Sequence, residues 1–188
     1  IEGFGNVGTF TMKFLEKFGF KIVAVSDSKG VVYDKQGLRF KSLMKTKKKK
    51  GSVSKHKNKN LPCGRLFGLK VDVLIPGALP DVIHKDNYKN INAKLIIEAA
   101  NIPISHDIEE KLHKKGILVL PDVIANAGGV ISSYAEYKGL NPRDMFKLVN
   151  EKIAKNTKLI LQTAKKNNIS PRKAAHRIAL RRIRSKNK

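Results

Sequence analysis

Near the start of the 188-residue sequence, Gly3, Gly5 and Gly8 fall in a G-x-G-x-x-G pattern, and Asp27 follows the next apolar run, about 20 residues on. Between a strand and a helix this spacing suits a diphosphate. The first glycine makes the tight turn, the second lets the backbone approach the phosphates, and the third lets helix and strand pack closely. The N-terminus of the helix adds N–H donors and a positive dipole end. A carboxylate closing the next strand accepts hydrogen bonds from a ribose 2′-hydroxyl. Glycines also turn chains without binding anything, so the pattern means a dinucleotide only if a helix starts at Gly8 and a buried strand ends near Asp27. Ser28 and Lys29 come next. A carboxylate repels a 2′-phosphate whereas a hydroxyl and an ammonium attract one, so NAD and NADP both remain open. The single cysteine, Cys63, and the five histidines, His56, His84, His106, His113 and His176, show no ligand or catalytic spacing, and no metal site is expected.

The elements needed to position these residues are legible. Val7, Phe10, Thr11, Phe14, Leu15 and Phe18 recur at helical spacing and Gly19 ends the run. The residues from Lys21 to Ser26 read as a strand buried on both faces. Val31 to Tyr33 lies among turn residues and reads as a small hairpin or irregular loop, with a brief helix near Phe40 to Lys45. Residues 46–60, rich in lysine and poor in apolar side chains, read as a flexible basic insertion. Three more buried strands follow, Val71 to Ile75, Leu95 to Glu98 and Ile117 to Leu120, with a helix after Ser105 between the last two. Strands alternating with helices imply a doubly wound, mainly parallel α/β sheet of Rossmann type, its first strand cut short before Gly3. Ligands of such sheets sit beyond the carboxyl ends of the strands. The segments expected to line one crevice are therefore Gly3, Phe4, Gly5, Asn6, Val7 and Gly8, then Asp27 and Ser28, then Pro76 to Leu79 with Ala78, then Ala99 to Asn101, and finally Asp122 to Gly129. Residues 1–140 form the expected dinucleotide-binding domain. Asn141-Pro142 and Ser170-Pro171 start two helices in an appended tail, 141–188.

Composition sets the limits. One cysteine excludes an internal disulfide framework and suits a reducing, cytoplasmic setting. No apolar run is long enough to span a bilayer, and no membrane partner is expected. The net charge of +24, from 39 Lys and Arg against 15 Asp and Glu, attracts polyanions. Lysine is nevertheless spread over almost every segment, and no RNP-type or zinc-finger pattern accompanies it. Compositional bias accounts for it better than a nucleic-acid surface, though a basic polyanion-binding module without catalysis stays as an alternative.

The stretches GFGNVG, VAVSDSKG, VDVLIPGAL, EAANIP and LPDVIANAGGVISSYAEY, in this order, resemble the nucleotide-binding domain of glutamate dehydrogenases within the glutamate/leucine/phenylalanine/valine dehydrogenase family. The tail from Asn150 to Ile183 is similar to that family's C-terminal helices. The resemblance implies oxidative deamination of L-glutamate to 2-oxoglutarate and ammonia with NAD or NADP, in a homo-oligomer. It places Asn6 against the dinucleotide, Asn101 and Asn126 near the nicotinamide, and Val130 and Ser133 against the amino acid. A serine at 133, able to bond a γ-carboxylate, favours glutamate over a branched apolar substrate, with a leucine- or phenylalanine-type amino acid dehydrogenase as the alternative within the family. Ser133 also has an ordinary role available, an i−4 backbone hydrogen bond in its helix. Ala100, Ile102, Ile104 and Ser105 depart from the family pattern, as does Pro80-Asp81. The catalytic lysine and aspartate of the family belong to a substrate domain with no counterpart in these residues. The implied role is therefore dinucleotide binding without turnover by this chain alone, as part of a longer protein.

Overall fold

The computed structural model describes residues 1–186. Helix α1 (Asn6–Lys17) leads to strand β1 (Ala24–Asp27), which turns back as β2 (Gly30–Tyr33). Helix α2 (Phe40–Lys50) and β3 (Lys59–Leu61) follow. Then come β4 (Val73–Leu74), β5 (Leu95–Ile97), α3 (His106–Lys114) and β6 (Leu118–Leu120). The chain ends in four helices, α4 (Asp122–Ala125), α5 (Gly128–Tyr137), α6 (Pro142–Asn167) and α7 (Pro171–Lys186).

β4, β5 and β6 pair in parallel, while β1, β2 and β3 form an antiparallel meander. Residues 1–3 join the two ladders. Ile1 donates to Ala24 O and accepts from Ser26 N–H on one side. On the other, Glu2 N–H donates to Ile75 O and Glu2 O accepts from Gly77 N–H, a parallel bridge to Pro76 just beyond β4. The result is a continuous sheet in the order β3, β2, β1, residues 1–3, β4, β5, β6, antiparallel across the β3–β2–β1 meander and parallel from residues 1–3 through β6. The expected doubly wound sheet is present, and its first strand consists of the few residues before the glycine turn.

Burial on both faces follows from the period of two along each strand. Ala24, Val31, Leu74, Ile96 and Val119 face one core with Ile108 and Leu112 of α3. Val25, Val32 and Ile75 face the other with Phe4, Met12 of α1 and Leu43 of α2. Ile124, Ile160, Ala164, Ala174 and Ala175 close a third cluster beneath α6 and α7. The two sequence signals for helix starts hold. Asn141 Oδ1 accepts from Asp144 N–H and Pro142 opens α6, and α7 opens at Pro171.

Residues 46–60 are built into the fold, which corrects the expectation of a flexible insertion. α2 runs through Lys50 to a left-handed Gly51, a single 3₁₀ turn covers Val53–Lys55, and β3 pairs with β2. The sparse apolar residues suffice because they are fully used: Leu43 and Val53 have no exposed surface, and Ser52 and His56 are buried beside them. The lysines occupy the outer face of α2 and its C-terminal end, where cations meet the negative dipole pole.

Leu43→Ala is expected to cost about 2–5 kcal/mol of unfolding free energy, measured by chemical denaturation. A loss within about 0.5 kcal/mol would mean that α2 is not part of the core.

Candidate functional site

The glycine turn begins where residues 1–3 leave the sheet. Gly3 adopts φ +90°, and a Cβ there would stand 2.6 Å from Ala78 Cβ. A Cβ on Gly8 would stand 1.8 Å from the Gly3 carbonyl oxygen. Both positions accept only glycine, the first for conformation and contact, the second for contact. Gly5 differs, since no protein atom lies within 4 Å of its Cβ position, leaving the backbone open to close approach. α1 starts immediately after it with no side-chain cap and no carboxylate in its first turn. An uncapped helix start that presents its amides beside a strand terminus fits a phosphate group.

Two residues that the glycine pattern does not flag hold this turn. Ser26 Oγ accepts from Gly3 N–H at 3.0 Å. Glu2 Oε2 accepts from Gly77 N–H and Ala78 N–H at 3.0 and 2.9 Å, tying the loop after β4 to the glycine turn. Phe4 is 1% exposed, so its side chain belongs to the core and only its backbone is available at the site. Lys47 Nζ donates to the Phe4 carbonyl and lies 5.5 Å from the ring centroid. A hollow of about 290 Å³ at the turn is lined by Gly5, Asn6, Thr9, Phe10, Met44, Lys47 and Lys48.

Asp27 ends β1 at the same edge of the sheet, as required. Its carboxylate already has internal partners: Oδ1 accepts from Lys29 N–H at 3.0 Å and Ser52 Oγ at 2.9 Å, and Oδ2 accepts from Val53 N–H at 2.8 Å. Ser28 and Lys29 are exposed. Further along the edge, Asn126 Nδ2 donates to Asn101 Oδ1 at 2.6 Å and to Ala100 O at 3.2 Å, so the two asparagines meet. Ala78 and Val130 are exposed, Val130 at the start of α5. Ser133 Oγ donates to Gly129 O at 3.1 Å, the ordinary helical role.

Beneath the asparagines lies a cluster that no motif announces. Arg172, at the start of α7, donates from Nε to Glu109 at 2.6 Å and from Nη2 to Glu98 and Asp122, both at 2.8 Å. Glu98 Oε2 also accepts from Asp122 N–H, and Asp122 Oδ2 accepts from Ile102 N–H. Ile102 is held at φ +46°, a left-handed conformation that is strained for a β-branched residue. Glu98 is fully buried, and its Oε1 has no hydrogen-bond partner among the described residues. Burial, and then repulsion from Glu109, push the Glu98 carboxyl up to about 8. Burial likewise raises Asp122, but hydrogen bonds from Ile102 N–H and Arg172 outweigh it and hold the carboxyl below the usual range. The sequence signal for this cluster was present in each residue separately: a carboxylate closing an apolar strand at Glu98, another after Pro121, and an arginine opening a helix.

Strand order, glycine turn and edge loops define a Rossmann-type α/β domain. Residues 1–188 match the family model described as Glutamate/Leucine/Phenylalanine/Valine dehydrogenase, and the chain belongs to that family. It is 39% identical over 194 residues to a glutamate dehydrogenase of Aeropyrum pernix, covering 97% of this chain and 46% of that protein. It is 43% identical over 138 residues to an NADP-specific glutamate dehydrogenase of Saccharolobus shibatae, covering 73% and 33%. Among solved structures, hetero-hexameric glutamate dehydrogenase from Thermus thermophilus in its Leu-bound form superposes with TM-score 0.85 at 25% identity, over 97% of this chain and 44% of that one. L-tryptophan dehydrogenase from Nostoc punctiforme gives 0.78 at 27%, over 98% and 50%. The chain thus spans half or less of the length of these relatives.

Two measurements test the cluster. Folded Glu98 keeps its proton up to about pH 8, whereas the unfolded group releases it near 4.5. The stabilisation is therefore complete below about 4.5 and is lost as pH rises through about 8, by at most about 1.4 kcal/mol per pH unit. Urea midpoints of the native chain should fall across this window, and Glu98→Gln should flatten the fall. Ile102→Gly should relieve the left-handed strain and raise stability by about 1 kcal/mol, read from the same denaturation curves.

Proposed function

We propose that this chain is the dinucleotide-binding half of a glutamate dehydrogenase, holding NAD or NADP for the oxidative deamination of L-glutamate to 2-oxoglutarate and ammonia. The observation that carries the reading is the uncapped start of α1 between two sterically obligatory glycines, Gly3 and Gly8, with open space at Gly5. Relatives named as glutamate dehydrogenases support the substrate class.

The backbone amides of Asn6, Val7 and Gly8 take the diphosphate, and the Asn6 side chain lies alongside. The lone pairs left on the Asp27 carboxylate accept a ribose hydroxyl, with Ser28 beside it and Ala78 forming the opposite wall. The Asn101–Asn126 pair offers amide donors and acceptors to a carboxamide, and so orients the nicotinamide ring. When bound, the dinucleotide supplies the hydride acceptor. Val130 and Ser133 border the amino acid. Ser133 can meet a γ-carboxylate by turning its hydroxyl away from Gly129 O, which exchanges one hydrogen bond for a charge-assisted one. The lysine and aspartate that move protons come from the family's substrate domain, across the crevice. The complete protein is a homo-oligomer in a cytoplasmic setting, and these 188 residues bind cofactor without turnover.

Gly5→Val separates this reading from plain polyanion attraction. A Cβ at residue 5 has open space around it, so the valine should leave the fold in place while its side chain blocks the approach to the phosphates. Calorimetric titration with NAD+ and NADP+ in about 150 mM salt, where diffuse charge is screened, should show binding by the native chain and at least about 100-fold weaker binding by the variant, roughly 2.7 kcal/mol. Binding that is indifferent to the valine would assign the affinity to the lysines.

A further inference from the structure

Two loops at the carboxyl edge of the sheet carry left-handed residues at the point where they touch. Asp81, after β4, has φ +49° and Ile102, after β5, has φ +46°, and Asp81 N–H donates to Ile102 O at 3.0 Å. Aspartate tolerates that conformation, whereas a β-branched residue is strained by it. The third such residue among the described ones, Asn168, ends α6 in the ordinary way. Burial does not offset the strain at Ile102, because its side chain is 59% exposed. Strain of this kind persists only where the surroundings over-determine it, and it concentrates at ligand sites. The surroundings here are polar. Ile102 N–H donates to Asp122 Oδ2 at 2.9 Å, and Asp122 Oδ1 accepts from Val123 N–H and from Arg172 Nη2, both at 2.8 Å.

Asp122 also governs the second asparagine. Its backbone O accepts from Asn126 N–H at 3.0 Å, while its carboxylate fixes the residue that follows Asn101. The two side-chain amides, in contact at 2.6 Å, therefore owe their register to one residue. On the reading that this edge takes a dinucleotide, we propose that Asp122, held by Arg172, is a positioning residue for the nicotinamide end, setting Asn101 and Asn126 for the carboxamide and keeping Ile102 outward as an apolar surface for the ring. The glycine turn and Asp27 take the other half of the ligand on that reading. Asp122 shares no hydrogen bond with them among the described residues, so its effect is confined to one end. Ionisation matters here as well as size. An amide at residue 122 keeps Arg172 and Val123 on its oxygen but turns its NH2 toward Ile102 N–H, donor against donor.

The test compares each dinucleotide with the fragment that lacks nicotinamide: NAD+ with ADP-ribose, and NADP+ with 2′-phospho-ADP-ribose, titrated calorimetrically into the 188-residue chain in about 150 mM salt. Asp122→Asn should leave the fragment's Kd within about twofold of native and weaken the dinucleotide by about three- to tenfold, the range of one lost hydrogen bond. The ratio of the two affinities then falls. General destabilisation moves both ligands together, and Leu43→Ala, a weakened core with this edge intact, should keep the native ratio. Ile102→Gly, which accepts the left-handed φ without strain and so stays folded, should lower the ratio in the same direction by removing the apolar surface. A ratio within about twofold of native in Ile102→Gly and in folded Asp122→Asn, or equal weakening of dinucleotide and fragment, would overturn the positioning role and leave the cofactor site standing. A native chain that binds neither the dinucleotides nor their fragments would overturn the cofactor reading, and the positioning role with it.

Discussion

One guanidinium organises the carboxyl edge of the sheet. Arg172 reaches from α7 to Glu98 at the end of β5, Glu109 on α3 and Asp122 at the start of α4. Three carboxylates around one cation leave excess negative charge in a buried space, which is costly unless a proton stays behind. The Glu98 carboxyl, pushed up to about 8, is where that proton sits. Each acid also accepts a backbone amide or anchors a helix, so the cluster converts electrostatics into loop geometry: Asp122 fixes Ile102, and Ile102 follows Asn101. The left-handed φ of Ile102 is thus held by the hydrogen bond from its own N–H to the Asp122 carboxylate.

The glycine turn obeys a second constraint, steric rather than electrostatic. Gly3 and Gly8 touch Ala78 and each other's backbone so closely that a single methyl group would force the turn apart. Glu2 and Ser26 then hold the turn to its neighbours on both sides. Rigid surroundings of this kind let an open backbone at Gly5 persist without collapsing onto itself.

What was legible in the sequence depended on repeat patterns. The strands β1, β4, β5 and β6 were visible because runs buried on both faces are almost wholly apolar, and α6 and α7 because Asn-Pro and Ser-Pro are strong local start signals. The edge meander was half visible, since Val31 to Tyr33 suggested a hairpin while β3 did not. Lys59 and Asn60 are polar and exposed on an edge and only Leu61 reaches the core, so pairing with β2 is what makes them a strand. α2 was cut short because a lysine run reads as solvated, although one buried leucine and a 3₁₀ turn on Val53 are enough to seat it. The glycine turn, Asp27 and the two asparagines lay where the strand ends put them. The Arg172 cluster was invisible because its members are spread over 75 residues (98 to 172) and no spacing rule connects them.

The three hydrogen bonds into the Asp27 carboxylate give that residue two allegiances. One end of β1 is pinned through it to Ser52 and Val53, just past the lysine-bearing helix α2. Loss of the carboxylate would therefore loosen the turn at Ser52 and Val53 together with the end of β1, while Leu43 keeps α2 seated in the core. Removing only the Ser52 hydroxyl leaves the acid in place, which makes that position the cleaner instrument for separating the packing role of Asp27 from its proposed role toward a dinucleotide.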